Sequence, residues 1–335
     1  MNASFSTNRN VGIDLLKYLC AFLVICLHSD FYGKTYVDTI ARIAVPLFFM
    51  ITGYYYTILK ENNKIFSQMK KIFILMLTTN LFYTVIDVIR SKNSYAPFCN
   101  FTALFRFLVL NERPIWSHLW YLGALLYGLL LIYISDKLNL RKKMYFFIPI
   151  LLCINLILGN YSTVIFGHAL PIAYSRNFLF MALPFLLLGD CLYQFRSKLK
   201  TKNSFLFLAL ILSVIFTFAE QGLLLHFNAY DNRDFFLGTT LTVVSIFLLT
   251  LQNSHLFSSS FSLKISCLGK YLSLGIYILH PLIIYLIGTL LNPLKNKCPV
   301  IITVYFYSAP FINLLITTFI SSFLITRIKK TKKHP

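Results

Sequence analysis

The sequence predicts an all-α polytopic integral membrane protein, with about ten transmembrane helices in one bundle and both termini cytoplasmic. Three observations lead there. Of 335 residues, 57% are hydrophobic and 13% charged, with a mean hydropathy of +0.69; a soluble domain is about half apolar and a quarter charged. The apolar residues gather into runs close to the roughly 20 that a helix needs to cross the hydrocarbon. Lys and Arg fall mostly in short segments between those runs. The net charge of +20 therefore reads as a topology signal. With no continuous basic groove and no nucleic-acid motif, nucleic acid is excluded as a partner and the lipid bilayer is expected.

In chain order the expected spans are residues 11–29, 37–59, 68–89, 118–135, 144–159, 175–194, 204–221, 235–252, 268–291 and 300–326. The first lacks a small-residue cleavage site and polar residues interrupt it, so it is read as a helix and not a signal peptide. The second carries Arg42 and Pro46, with a kink expected at the proline and close packing at Thr52 and Gly53. The third is followed by a long connector, 90–117. Its "NFTALFRFLVLNERPIW" is too short and too charged to span, and predicts an interfacial or re-entrant helix on the outer face. The fourth opens on His118, Trp120 and Tyr121, which suit an interfacial aromatic belt. The fifth follows a basic cluster. The sixth opens on Arg176 and Asn177 and ends at Asp190, read as a solvated charge beside Arg196 and Lys198. Glu220 sits late in the seventh, the eighth carries no charged residue, and His280 precedes Pro281 in the ninth. The tenth runs into "RIKKTKKHP". No linker or repeat divides the chain, so residues 1–335 form one expected transmembrane domain.

With the amino terminus inside, the inner segments (Arg9; Lys60 to Lys71; Lys137 to Lys143; Arg196 to Lys202; Lys264 and Lys270; Arg327 to Lys333) outweigh the outer ones (Lys34, Arg42, Arg90 to Arg113, Arg176, Arg233, Lys295 and Lys297) in Lys and Arg by roughly two to one, as the positive-inside rule requires. That bias puts both termini inside. Most of the seven cysteines fall inside apolar runs and read as small buried hydrophobes. No CxxC or metal spacing occurs, no metal is expected, and sequence alone does not support a Cys99–Cys298 disulfide.

"KYLCAFLVICLHSD" in the first span begins on Lys17 and holds His28. At about 100° per residue the two lie on one helix face, roughly 16 Å apart along the axis. Asp14 is placed to pair with Lys17. Either Lys17 snorkels to the interface while His28 caps the outer helix end, or both face a polar cavity, where His28 is a candidate general base.

"GIDLLKYLCAFLVICLHS" resembles the first helix of the membrane acyltransferase-3 family, in which an arginine, ten residues and a histidine follow one another; here Lys17 stands for the arginine, a point charge replacing a planar fork. "ARIAVPLFFMITGYYY" is similar to the family's second helix, with its Arg-x-x-x-Pro-Phe-Phe core, and "SHLWYLGALLYG" and "SLGIYILHPL" resemble its later motifs. Four motifs in order cover essentially the whole chain. The resemblance implies an O-acyltransferase of the bacterial cytoplasmic membrane. Acetyl-CoA would be the cytoplasmic acyl donor, and a hydroxyl of an envelope glycan or lipid-linked sugar the acceptor. It points to His28 as base and to a donor site in which Lys17, Lys70 and Lys71 meet the phosphates and Asp14 holds Lys17.

For the remaining residues two readings stay open. Arg42 is an interfacial anchor or an acceptor contact. His118 and Trp120 belong to the aromatic belt or line an external cleft. Arg176 and Asn177 anchor the sixth span or recognise a sugar hydroxyl or carboxylate. Glu220 orients His28 or binds the acceptor hydroxyl, or else pairs with Arg176 or Arg42. His280 contacts substrate, or supports the backbone that Pro281 breaks.

"SRNFLFMALPFLLLGD", "HLWYLGALLYG" and "FAEQGLLLHF" look closest to the membrane part of vancomycin-resistance serine racemases. That implies an alternative, transport of a small amino acid such as serine, along the same polar stripe. The chain stops where those proteins continue into a racemase domain, so no racemase activity is expected.

Overall fold

The computed structural model describes residues 10–90, 100–110, 116–198, 201–231 and 233–331. Among them all regular structure is helical: α1 Val11–His28, α2 Lys34–Ala41, α3 Ala44–Glu61, α4 Ile65–Arg90, α5 Phe101–Leu110, α6 Trp120–Lys137, α7 Arg141–Met144, α8 Phe147–Leu158, α9 Ser162–Phe166, α10 Leu183–Gln194, α11 Asn203–His226, α12 Leu237–Gln252, α13 Ser260–Leu291 and α14 Pro299–Thr331. Arg9, Lys92, Cys99, Arg113, Lys200, Lys332 and Lys333, which entered the charge and disulfide readings, lie outside the described residues.

The chain forms two compact units. One takes residues up to Ala44, Asn203–Ile211 and Leu241 onward; the other takes Val45–Lys202 and Leu212–Thr240.

By length and composition, seven described helices can cross a bilayer: Val11–His28, Lys34–Glu61, Ile65–Arg90, Ser117–Lys137, Asn203–His226, Ser260–Leu294 and Pro299–Arg327. The protein is thus a multi-pass membrane protein. The expected sixth and eighth spans are shorter apolar helices, Phe178–Gln194 and Leu237–Gln252. The expected fifth divides into α7 and the 12-residue α8, about 18 Å of helix against about 30 Å of hydrocarbon. α5 falls in the connector expected to hold an interfacial helix, and it exposes Phe101 and Phe105.

The second expected span is not one continuous helix. α2 ends at Ala41 and α3 begins at Ala44. Pro46 explains the break: it has no N–H for the Arg42 carbonyl, and its ring would clash there. Placed in the first turn of α3, the proline is tolerated.

Pro281 and Pro310 lie inside helices and Pro184 opens α10 directly after a π turn; each leaves the carbonyl four residues earlier without its N–H. A polar group in hydrocarbon needs a replacement partner, and each carbonyl has one. Pro310 frees Phe306, which accepts the Tyr32 amide at 3.3 Å. Pro184 frees Phe180, which accepts Asn155 Nδ2 at 2.9 Å. Pro281 frees Tyr277, which meets His280 Nδ1 at 2.8 Å.

Small residues bring backbones together. A Cβ at Gly269 of α13 would overlap the Asp14 carbonyl oxygen of α1. Within the second unit, a Cβ at Gly53 of α3 would overlap the Leu186 carbonyl of α10, and one at Gly189 the Met50 carbonyl. Gly53 therefore packs closely, as its sequence context suggested.

Buried Asn155 donates to both the Ser175 and Phe180 carbonyls. Asn155→Ala should lower stability by about 1–3 kcal/mol, read as a reduced thermal midpoint in detergent. Adding Pro184→Ala returns a donor to Phe180 and should recover part of the loss.

Candidate functional site

In the first unit, α1 carries the polar stripe. Asn10 caps its start, its side chain accepting from the Ile13 amide at 3.0 Å. Lys17 Nζ donates to Asp14 Oδ1 at 3.0 Å, with Asp14 buried and Lys17 half-buried. The expected pair forms, and it forms where Gly269 lets α13 approach. Lys17 and His28 share one unbroken helix, so their common face is kept.

His28 is the last residue of α1 and is exposed, whereas His280 of α13 is fully buried. Their rings lie 4.9 Å apart, tilted by 52°. The next residue, Ser29, is buried and accepts from Asn313 Nδ2 at 2.8 Å, and Asn313 Oδ1 accepts from Tyr305 at 3.1 Å. These bonds tie the end of α1 to α14.

His280 Nδ1 faces two backbone carbonyls, Tyr277 at 2.8 Å and Ile276 at 3.1 Å. A carbonyl only accepts, so Nδ1 carries a proton. In the neutral ring the lone pair then belongs to Nε2. Pro281 thus fixes the tautomer of the histidine that precedes it.

Arg42 is buried at the α2–α3 break, within electrostatic reach of Asp38. It is an interior cation and not an exposed interfacial anchor. Along α1, an apolar cavity of about 420 Å³ is lined by Leu15, Leu19, Phe22, Phe257 and Phe311, among others.

In the second unit, Arg176 forms a two-pronged pair with Asp234: Nη2 to Oδ1 at 2.7 Å, and Nε to Oδ2. Its guanidinium lies 5.9 Å from the Trp120 ring centroid. Glu220 does not pair with Arg176. Its carboxylate accepts the Tyr161 hydroxyl at 2.9 Å and the Leu237 and Gly238 amides. These amides open α12 and have no acceptor in an earlier turn of the helix, and a negative charge there is also favoured by the helix dipole.

Asn177 is likewise engaged internally. Its oxygen accepts the Leu179 and Phe180 amides and its nitrogen donates to the Ala173 and Tyr174 carbonyls. All four hydrogen-bonding positions are filled, so the expected contact with substrate is replaced by a cap on the π turn Phe178–Ala182. His118 is buried against Tyr83, ring centroids 5.2 Å apart, in an aromatic group with Trp116, which donates to Asp87 at 2.6 Å. Lys70 and Lys71 are exposed on α4.

The loop before α12 is fixed to the segment after α8. Asn160 accepts the Arg233 amide and donates to the Phe235 carbonyl. Asp231 accepts from Ser162 Oγ, Thr163 Oγ1 and the Thr163 amide. Burial alone would raise the Asp231 carboxyl. Those hydrogen bonds and the Arg233 charge outweigh it and hold the group below its ordinary value.

Asp190 departs from the sequence reading. It is fully buried, not solvated, and accepts from Thr57 Oγ1 at 2.8 Å and Tyr145 at 2.6 Å, with Arg141 Nε at 3.4 Å. Arg141 also reaches Asp136, which pairs with Lys60. Residues of α3, α6, α7 and α10 therefore share one ionic network. Its sequence signal was the scarcity of acids, 11 against 31 basic residues. An acid at the end of an apolar run is a candidate for burial with a partner. Among the described residues no group of His, Cys, Asp or Glu is arranged to hold a metal ion.

A family model described as an acyltransferase domain matches residues 10–327. The chain belongs to the acyltransferase-3 family. The matched region takes in the α1–α13 histidine pair, the Arg176–Asp234 pair and the Asp190 network. An amino-acid racemase of Enterococcus faecalis is 25% identical over 349 residues, covering 92% of this acyltransferase-3 chain and 46% of that protein. A second amino-acid racemase of the same organism is 24% identical over 218 residues, covering 57% and 29%. The chain thus spans less than half the length of the curated relatives it matches. No solved structure matches it.

Asp190→Ala would leave Arg141, Thr57 and Tyr145 without their shared acceptor. It should destabilise the second unit by about 3–5 kcal/mol, seen as early thermal unfolding or loss of monodisperse protein in detergent, while Asp190→Asn should lose less.

Proposed function

We propose that this protein is an acyl-CoA-dependent O-acyltransferase of the bacterial cytoplasmic membrane, moving an acetyl group from cytoplasmic acetyl-CoA to a hydroxyl of an envelope glycan or lipid-linked sugar. The observation that carries the reading is the exposed imidazole of His28 at the end of α1, seated against the buried ring of His280. A neutral imidazole in a partly wet site takes a hydroxyl proton near neutral pH. The freed alkoxide attacks the thioester carbonyl, the tetrahedral adduct collapses, and the C–S bond breaks. The departing CoA thiolate takes up the proton held by His28, which returns to its neutral form.

Lys17 lies about three turns of helix away, toward the expected cytoplasmic end, and supplies a cation for the donor's phosphates. Asp14 holds that ammonium in place. Lys70 and Lys71, exposed on α4, add to the positive field on the same expected face. Among the residues expected to contact the acceptor, Arg42 belongs to the first unit and His118, Trp120 and Arg176 to the second. Of these, Arg176 and Trp120 offer a charge over an aromatic face, a combination suited to sugar hydroxyls and ring faces. Glu220 is assigned to holding α12 and its loop.

A second reading, passage of a small amino acid such as serine, is favoured by the names of the two relatives, both amino-acid racemases. It predicts a polar path and no donor site.

Purified protein in detergent should bind acetyl-CoA and hydrolyse or transfer its acetyl group. His28→Ala should keep binding and lose about 100-fold or more in turnover. Lys17→Ala should weaken binding roughly tenfold, and Lys17→Arg should restore it. If no variant binds CoA at millimolar concentration, the transfer reading fails and serine uptake by proteoliposomes becomes the function to measure.

A further inference from the structure

His280 is fully buried on α13, behind a histidine that is exposed. Its Nδ1–H is held by the Tyr277 carbonyl that Pro281 frees, and by Ile276. If stabilising that carbonyl were all the ring did, an asparagine in its place would serve, as Asn155 serves Phe180. The imidazole adds a second nitrogen. With Nδ1 protonated, Nε2 of the neutral ring is an acceptor.

The neighbouring ring, 4.9 Å away by centroid, is the one that must change protonation. A base that becomes an imidazolium carries an N–H on each ring nitrogen. It is favoured by an acceptor behind it, as in catalytic histidines whose second nitrogen is held by an orienting group. A carboxylate in that position would bury a charge in the hydrocarbon; a neutral imidazole does not.

We propose that His280 is a positioning residue for His28: the carbonyl freed by Pro281 fixes His280 in the Nδ1–H tautomer, and its Nε2 then directs one N–H of His28 toward α13 and the His28 lone pair toward the acceptor hydroxyl. This inference rests on the acyl-transfer reading. The ring contact closes to an N–H···N hydrogen bond as the acceptor docks and His28 takes up its proton, in the way catalytic hydrogen bonds tighten on complex formation. No atom of His280 enters the bond changes. Pro281, which provides no side-chain chemistry, becomes a determinant of turnover through the backbone.

Two amides separate the two duties of the ring. Asparagine places an N–H near the position of Nδ1 and can satisfy Tyr277, but offers nothing at Nε2. Glutamine places a carbonyl oxygen near Nε2 but leaves Tyr277 unsatisfied, a defect that Pro281→Ala repairs by restoring the backbone N–H. The experiment compares acetyl transfer, CoA affinity and thermal midpoint for wild type, His280→Asn, His280→Gln/Pro281→Ala and Pro281→Ala in full-length protein in detergent. The expected result is wild-type stability and CoA affinity for His280→Asn with kcat down about 100-fold, and recovery of at least tenfold of that loss in His280→Gln/Pro281→Ala. Wild-type kcat in His280→Asn, or no recovery in the double variant while it folds and binds CoA, overturns the positioning role and leaves acyl transfer standing. A wild type that neither binds CoA nor turns over thioester overturns the transfer reading, and the positioning role with it.

Discussion

A carbonyl without a partner in hydrocarbon costs too much to persist, and this constraint explains the placement of several polar side chains in the protein. Prolines inside α13 and α14 and at the start of α10 leave such carbonyls at Tyr277, Phe306 and Phe180, and these are answered by different kinds of donor: an imidazole, a backbone amide from a neighbouring segment and a side-chain amide. Two of the answers fix tertiary structure, since Asn155 joins α8 to the π turn before α10 and Tyr32 joins the α1–α2 connection to α14. The third has a chemical consequence. The donor is a histidine, and its commitment to the backbone decides which ring nitrogen is left to meet His28.

The same constraint orders the charged groups. Asp190 and Asp136 are retained inside the second unit because Thr57 and Lys60 of α3, Arg141 of α7 and Tyr145 just after it supply donors. A network of this kind is weak evidence for net stability, since replacing it by apolar groups can be neutral; removing one member is what costs. Close packing at Gly53 and Gly189 brings α3 and α10 near enough for Thr57 and Asp190 to meet. Glu220 does comparable work at one helix end, neutralising amide donors that no earlier turn of α12 can satisfy.

Much of this was legible in the sequence. The helical class, the long spans, the Asp14–Lys17 pair and the bond between His280 and a proline-freed carbonyl all follow from composition, 3.6-residue geometry and the missing proline N–H. Other features were not, for identifiable reasons. Apolar content does not separate a bilayer-crossing run from a 12-residue helix, so α8 was expected to be longer. Pro46 suggested a kink; the break at Arg42–Ile43 follows from the clash with the carbonyl four residues earlier. Asp190 sits among basic residues in the chain, and its partners Thr57, Tyr145 and Arg141 come from distant segments that spacing cannot bring together. Asn177 was read as a substrate contact because of its position, whereas its four hydrogen bonds close a turn. Asp234, the partner of Arg176, lies 58 residues away, beyond any local pattern.

The account turns on the protonation of one nitrogen. Selective ¹⁵N labelling of histidine, with His280 assigned by its loss in His280→Asn, reads that directly from the ring nitrogen shifts of the protein in a bilayer. The account predicts a protonated Nδ1 and an unprotonated Nε2 for neutral His280. The opposite tautomer would mean that the ring does not serve the Tyr277 carbonyl, and would contradict the link from Pro281 to the candidate site.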